Sequence, residues 1–164
     1  MKKEAPVPTD SLPVEQIKNL IDYGILGLLG FLSIIVFAYA IERMLFYRRI
    51  HLSDYTHAKA LELDLMRRLP TIASIGSSAP YIGLLGTVLA IILTFYVIGE
   101  QGGVIEPGTI MQHLALALKA TAAGLLVAIP ATVIYNALLT QVDRRLAEWE
   151  ILRDEGKLKG TPAP

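Results

Sequence analysis

The sequence predicts an all-α membrane protein whose chain crosses the bilayer three times. Three observations carry that prediction. The 164 residues are 53% hydrophobic with a mean hydropathy of +0.49, yet 18% are charged. The charges stay out of three long apolar runs, a segregation that belongs to multi-span chains. Within the second and third runs, small residues recur at helical intervals, which lets helix backbones approach closely in lipid.

Taken in order, Met1–Pro13 carries three prolines and mixed charge and reads as a flexible tail. Val14–Tyr23 places Val14, Ile17, Leu20 and Ile21 at helical spacing among polar residues, an amphipathic helix suited to the membrane surface. Gly24–Ile41 is the first span and holds no charge. Tyr39, Phe46 and Tyr47 suit a headgroup-level belt, with Arg43, Arg48 and Arg49 beyond it. Lys2 and Lys3 are separated from this span by a polar, proline-bearing stretch, so a cleaved signal peptide is not expected.

Residues 42–76 form the one substantial polar connection, read as a helical hairpin or continuation in the cytoplasm that ends near Pro70. Leu61, Leu65 and Leu69 recur there at helical intervals. His51 and His57 lie six residues apart and do not stack on one helical face. They read as solvated loop residues, and no metal is expected.

The second span covers about residues 80–98, with Pro80 at its start, where proline costs no interior hydrogen bond. Gly83, Thr87, Ala90 and Thr94 step by four, three and four along one face, and Gly86 adds a further small residue. The connection Gly99–Gly108 is short, acidic and free of Lys and Arg. The third span, about residues 110–140, contains the most informative stretch, LALALKATAAGLLVAIPATVIYN (Leu114–Asn136). About 20 residues at a 1.5 Å rise cover the roughly 30 Å hydrocarbon core. Ala117, Thr121, Gly124, Ala128 and Ala131 share one face of it. Pro130 removes one backbone hydrogen bond there, which neighbours in a bundle can compensate. Leu138, Leu139, Val142, Leu146 and Trp149 continue a helical stripe beyond the membrane, and Gly156 ends it before a flexible tail, 156–164. Residues 14–155 thus read as a single membrane domain.

The flanks orient the chain. Basic residues cluster in the 42–76 connection and after the third span, which places both in the cytoplasm and the N-terminus and the Gly99 connection outside.

Composition excludes several functions. Net charge is zero, giving no support to nucleic-acid binding, and the lack of cysteine rules out disulfides and thiolate metal sites. No GxSxG, HExxH or phosphate-loop pattern is present, so neither an enzyme nor a cofactor is expected. Proton conduction fits better, with a gap. Intramembrane ionisable residues normally mark a proton path, and the interiors of the three spans contain no Asp, Glu or His. A titrating carboxylate would have to come from another chain. This chain offers the hydroxyls of Thr87 and Thr121, each able to bond a carbonyl of its own helix or to line a polar pathway.

Lys119 stands apart. A lysine at the bilayer centre costs about 2.5 to 3.5 kcal/mol, less near an interface. It lies about 200° around the helix from Thr121, near the outer end of the span. Snorkelling outward, or pairing with an acid of a neighbouring subunit, accounts for it better than a role in conduction.

APYIGLLGTV (Ala79–Val88), together with ALKATAAGLLVAIPATVIYN (Ala117–Asn136), closely resembles the MotA/TolQ/ExbB proton-channel family, and within it the ExbB and TolQ branch, most nearly a short ExbB. The resemblance is strong over Ser74–Arg145 and covers the first span by topology alone. It implies a homo-oligomeric ring, typically a pentamer, in the bacterial inner membrane. The ring would surround helices of a single-span ExbD-like or TolR-like partner whose aspartate takes the proton. It further implies that proton-motive force is passed to a TonB-like protein, and so to uptake of iron-siderophores and vitamins across the outer membrane. On this resemblance Thr87 and Thr121 line the pore, while Gly83, Gly86, Ala90, Thr94, Ala117, Gly124, Ala128 and Pro130 serve helix packing.

Two departures stand out. Relatives often carry a glutamate early in the third span, where this chain has Leu116, with Lys119 one turn on. The polar connection is also shorter than is typical. Two other roles remain open at this point: a TolQ-like part in envelope integrity, or a non-conducting membrane scaffold.

Overall fold

The computed structural model describes residues 12–100 and 107–157. All regular structure among them is helical: α1 (Leu12–Arg49), a short 3-10 turn (Leu52–Asp54), α2 (Ala58–Met66), α3 (Leu69–Glu100) and α4 (Pro107–Asp154). The structure therefore has three helices long and apolar enough to cross a membrane, as the apolar runs predict. At about 1.5 Å per residue each exceeds the roughly 30 Å hydrocarbon thickness.

Two local expectations change. The amphipathic Val14–Tyr23 segment is not separate but the first part of α1, because no breaker stands between it and the span. Pro80 lies well inside α3 rather than at its start. Its missing N–H leaves the Gly76 carbonyl without its intrahelical donor. Most of the 42–76 connection is helical, with the α-helices broken at residues 50–57 and around Arg67–Arg68. The expected tails, and residues 101–106 of the Gly99 connection, lie largely outside the described residues.

The chain divides into two compact units. The first joins α1 up to Gly30 with Pro80–Leu125 of α3 and α4. Here the helices meet through their smallest residues. A Cβ added at Gly83 would lie 2.6 Å from the Ala120 carbonyl oxygen and 3.0 Å from the Thr121 Cα, so any side chain would force the backbones apart. Gly86 is equally constrained, with the Ala120 Cβ at 2.8 Å and the Ile25 Cδ1 at 2.9 Å from where its own Cβ would stand.

The second unit, Phe31–Ala79 with the chain from Leu126 onward, holds a core of Val36, Tyr47, Leu61, Leu65, Leu69, Ile72, Ala131, Leu138, Val142 and Trp149. Leu61, Leu65 and Leu69 are fully buried, as their spacing predicts. Polar bonds lock this core. The last four carbonyls of a helix lack intrahelical donors, and α1 supplies two to α2. Arg43 Nη1 donates to the Asp64 carbonyl at 3.0 Å, and the Tyr47 hydroxyl donates to that of Leu65 at 2.7 Å. The Arg43 charge is also favourable beside the negative end of α2. Trp149 Nε1 donates to the Tyr55 carbonyl at 3.0 Å, tying α4 to the turn before α2. The Tyr55 phenol donates to Asp64 Oδ2 at 2.8 Å, and burial first, then this carboxylate, pushes its pKa up to about 12.

Between α2 and α3, Arg68 adopts a positive φ of 79°. Its carbonyl accepts from the amides of Thr71 and Ile72, and its guanidinium stacks 4.8 Å from the Tyr39 ring centre, with Nε 3.6 Å from Glu42. At the far end, Gly156 closes α4 with a φ of 68°. The amides of Gly156 and Lys157 donate back to Arg153 and Leu152, a Schellman closure of the kind the glycine predicts.

Candidate functional site

The threonines of α3 and α4 come together inside the first unit. Thr87 is buried, and its hydroxyl lies 2.5 Å from that of Thr121. It also lies 3.2 Å from the Ala117 carbonyl and 3.3 Å from the Gly83 carbonyl one turn back on its own helix. Thr87 thus combines a back-bond within its own helix with a polar contact across two helices of the same chain.

A hydroxyl has one proton to donate and two lone pairs to accept with. Thr87 can donate to one carbonyl while accepting from Thr121, or donate to Thr121 instead. The pair can hand a hydrogen bond on, but it cannot hold a proton, because neither group ionises near neutral pH. Thr94 shows the contrast: it is buried and back-bonded to the Ala90 carbonyl at 2.8 Å.

The expected packing residues are placed on the same geometry. Gly83, Gly86, Ala117 and Gly124 are buried in this unit, and Ala90 is half-buried. Gly83 of α3 approaches Ala120, Thr121 and Gly124 of α4 in the same chain. In the second unit Ala128 and Ala131 are buried, and Pro130, half-buried, lies inside α4. Gly76 meets Ala131 and Thr132 there.

Lys119 is exposed and borders a cavity of about 190 Å³, together with Leu116, Gly86, Asn19 and Asp22. Asp22, an acid of the same chain, lines the same cavity, a neighbour that sequence reasoning did not name. The signal was present: Asp22 and Lys119 are each the last charge before the uncharged run of their helix, Tyr23–Ile41 and Ala120–Val142. Leu116, where the family resemblance leads one to expect a glutamate, lines this same cavity.

Comparison with known proteins bears on this arrangement. The model of the MotA/TolQ/ExbB proton channel family matches residues 39–151, which include both threonines, Lys119 and all of the locked core but Val36. The chain belongs to this family. It is also 51% identical over 142 residues to the biopolymer transport protein ExbB of Aquifex aeolicus, a match covering 87% of this chain and 95% of that one. An ExbB-like biopolymer transport protein of Helicobacter pylori is 54% identical over 134 residues, 82% of this chain and 89% of its own. An ExbB of Helicobacter pylori is 43% identical over 137 residues, 84% and 94% of the two chains. The matches run over nearly the whole of these relatives, so they share the compact length.

Proposed function

We propose that this protein is an ExbB-like energiser subunit of the bacterial inner membrane. Copies of it form a ring around a single-span, ExbD-like partner and couple proton-motive force to a TonB-like protein that drives transport across the outer membrane. The observation carrying this reading is the Thr87–Thr121 hydroxyl pair, set in spans whose interiors lack any carboxylate or histidine. Such a wall can orient water and pass hydrogen bonds, while the group that binds the proton is brought by the partner. The ExbB names of relatives with about half their residues identical support the energiser role. Basic residues on one flank of the spans (Arg43, Arg48, Arg49, Arg67, Arg68, Arg144, Arg145) support a periplasmic N-terminus and a cytoplasmic C-terminus.

Proton flux into liposomes tests the reading, with this protein reconstituted alone and with its single-span partner. Flux is expected only with the partner, to fall about tenfold or more in Thr121→Val, and to survive in Thr121→Ser, as for loss and retention of one functional hydrogen bond. Flux without the partner, or undiminished in the valine variant, defeats the reading.

One observation favours a second reading. The Gly83 contact is so tight that the small residues have a packing role whether or not the hydroxyls conduct. A non-conducting scaffold would show no flux with or without the partner while both wild type and Thr121→Val assemble normally, and gel filtration beside the flux assay separates the two.

A further inference from the structure

The second unit contains a cavity of about 250 Å³ between α1 and α4, away from the threonine pair. Its polar rim is Arg48, Gln141 and Arg145, and its floor is Met44, Ala137 and Leu138. Arg145 is held in place by two bonds. Nη2 donates to the Tyr47 carbonyl and Nη1 to Glu148, both at 2.9 Å. A guanidinium has five N–H groups, so most of its donor capacity remains. Arg48 is exposed and has no hydrogen bond or ion pair to any described residue. No carboxylate lines the cavity; Glu148, the nearest engaged acid, is turned to Arg145.

Position adds to charge. Arg48 and Arg49 close α1 after its apolar run, while Gln141 and Arg145 flank the end of the uncharged run Ala120–Val142. The cavity therefore lies where basic side chains meet the edge of the hydrocarbon. Basic pockets between membrane helices on the cytoplasmic side suit anionic headgroups, and an arginine fork matches phosphate oxygens. The apolar floor would be wasted on free phosphate but suits the first methylenes of an acyl chain.

We propose that this cavity is a binding site for the headgroup of an anionic phospholipid, such as phosphatidylglycerol or cardiolipin. Arg48 and Arg145 grip the phosphodiester, the Gln141 amide bonds a headgroup oxygen, and the chain runs over Met44, Ala137 and Leu138. The site rests on the membrane orientation proposed above but not on conduction, so it can stand or fall whatever the flux assay gives.

The test uses the full chain in nanodiscs of phosphatidylcholine, with and without added phosphatidylglycerol, and a third sample with inorganic phosphate. Retained lipid is counted by mass spectrometry and the thermal midpoint is measured. Wild type should retain phosphatidylglycerol and gain several degrees from it, following ligand linkage, and gain nothing from inorganic phosphate. Arg48→Gln should cut affinity about fivefold, the share of one basic residue at an anionic surface. Arg49→Gln, whose side chain does not line the cavity, should behave as wild type. Because Arg145→Gln also removes the Tyr47 bond, Arg48→Gln is the deciding variant. Equal retention by Arg48→Gln and Arg49→Gln, equal stabilisation by inorganic phosphate, or cross-linking of Ala137→Cys to a second copy instead of lipid would each overturn the proposal.

Discussion

At the scale of single residues, the cavity that holds Lys119 explains how a lysine can be tolerated beside two uncharged runs. The cavity gives the ammonium open space lined by Asp22 and Asn19 of the same chain. Leu116 and Gly86 also line it. Removing one member should leave the other uncompensated near hydrocarbon, while removing both should not. We expect Asp22→Asn to destabilise the protein by about 1 to 3 kcal/mol and to lower its yield in the membrane. The double variant Asp22→Asn/Lys119→Met should recover most of that loss. Thermal unfolding of the three proteins in one detergent decides it. If the double variant is worse than either single change, the two residues do not balance each other.

At the scale of elements, legibility depended on whether a signal was local. The three apolar runs and the Leu61, Leu65, Leu69 stripe act through the periodicity of one segment, and they appear in the structure where the sequence puts them. The burial of Arg43 did not read so easily, because charge dominates a reading of composition. Yet Leu29, Val36 and Arg43 lie seven apart and are all buried, so the period of α1 assigns the arginine to the packed stripe. What makes that burial tolerable is the carbonyl end of α2, a contact that no local pattern encodes. Pro80 misled for a related reason. Its helix begins before the apolar run does, because Leu69 and Ile72 belong to the core of the second unit rather than to the span. The turn at Arg68 supplies the test at this scale. A positive φ costs a non-glycine residue about 1 kcal/mol, which here is offset by stacking on Tyr39 and the charge of Glu42. Arg68→Ala keeps the strain and loses the contacts, so it should destabilise by about 1 kcal/mol. Arg68→Gly loses the contacts but relieves the strain, and should come out close to wild type. Equal losses in both variants would show that the backbone at this turn is unstrained.

For the whole molecule, what matters is which side of the membrane each connection occupies, since the proposed motor works only if the ring and its partner face the same way. The charge asymmetry is one-sided. Residues 42–76 carry Arg43, Arg48, Arg49, Lys59, Arg67 and Arg68, whereas Gly99–Gly108 carries Glu100 and Glu106 and no base. Several of those arginines are not free to act as simple topology signals, because Arg43 and Arg68 are engaged by Asp64, Glu42 and Tyr39. The exposed Arg48, Arg49 and Arg67 remain on the same flank, so packing and orientation do not compete. The absence of native cysteine makes the orientation directly measurable, since any introduced thiol is unique to its site. Ser53→Cys lies in the exposed turn after α1, and Gly99→Cys at the exposed end of α3, where an added Cβ meets nothing within 4 Å. In intact spheroplasts a membrane-impermeant maleimide should label Gly99→Cys and leave Ser53→Cys unmodified until the membrane is opened. The reverse pattern would turn the chain over and place the long extension of α4, with Trp149, on the outside. The proposed coupling to proton-motive force would then have the wrong sense, and the anionic-lipid cavity would face the other leaflet.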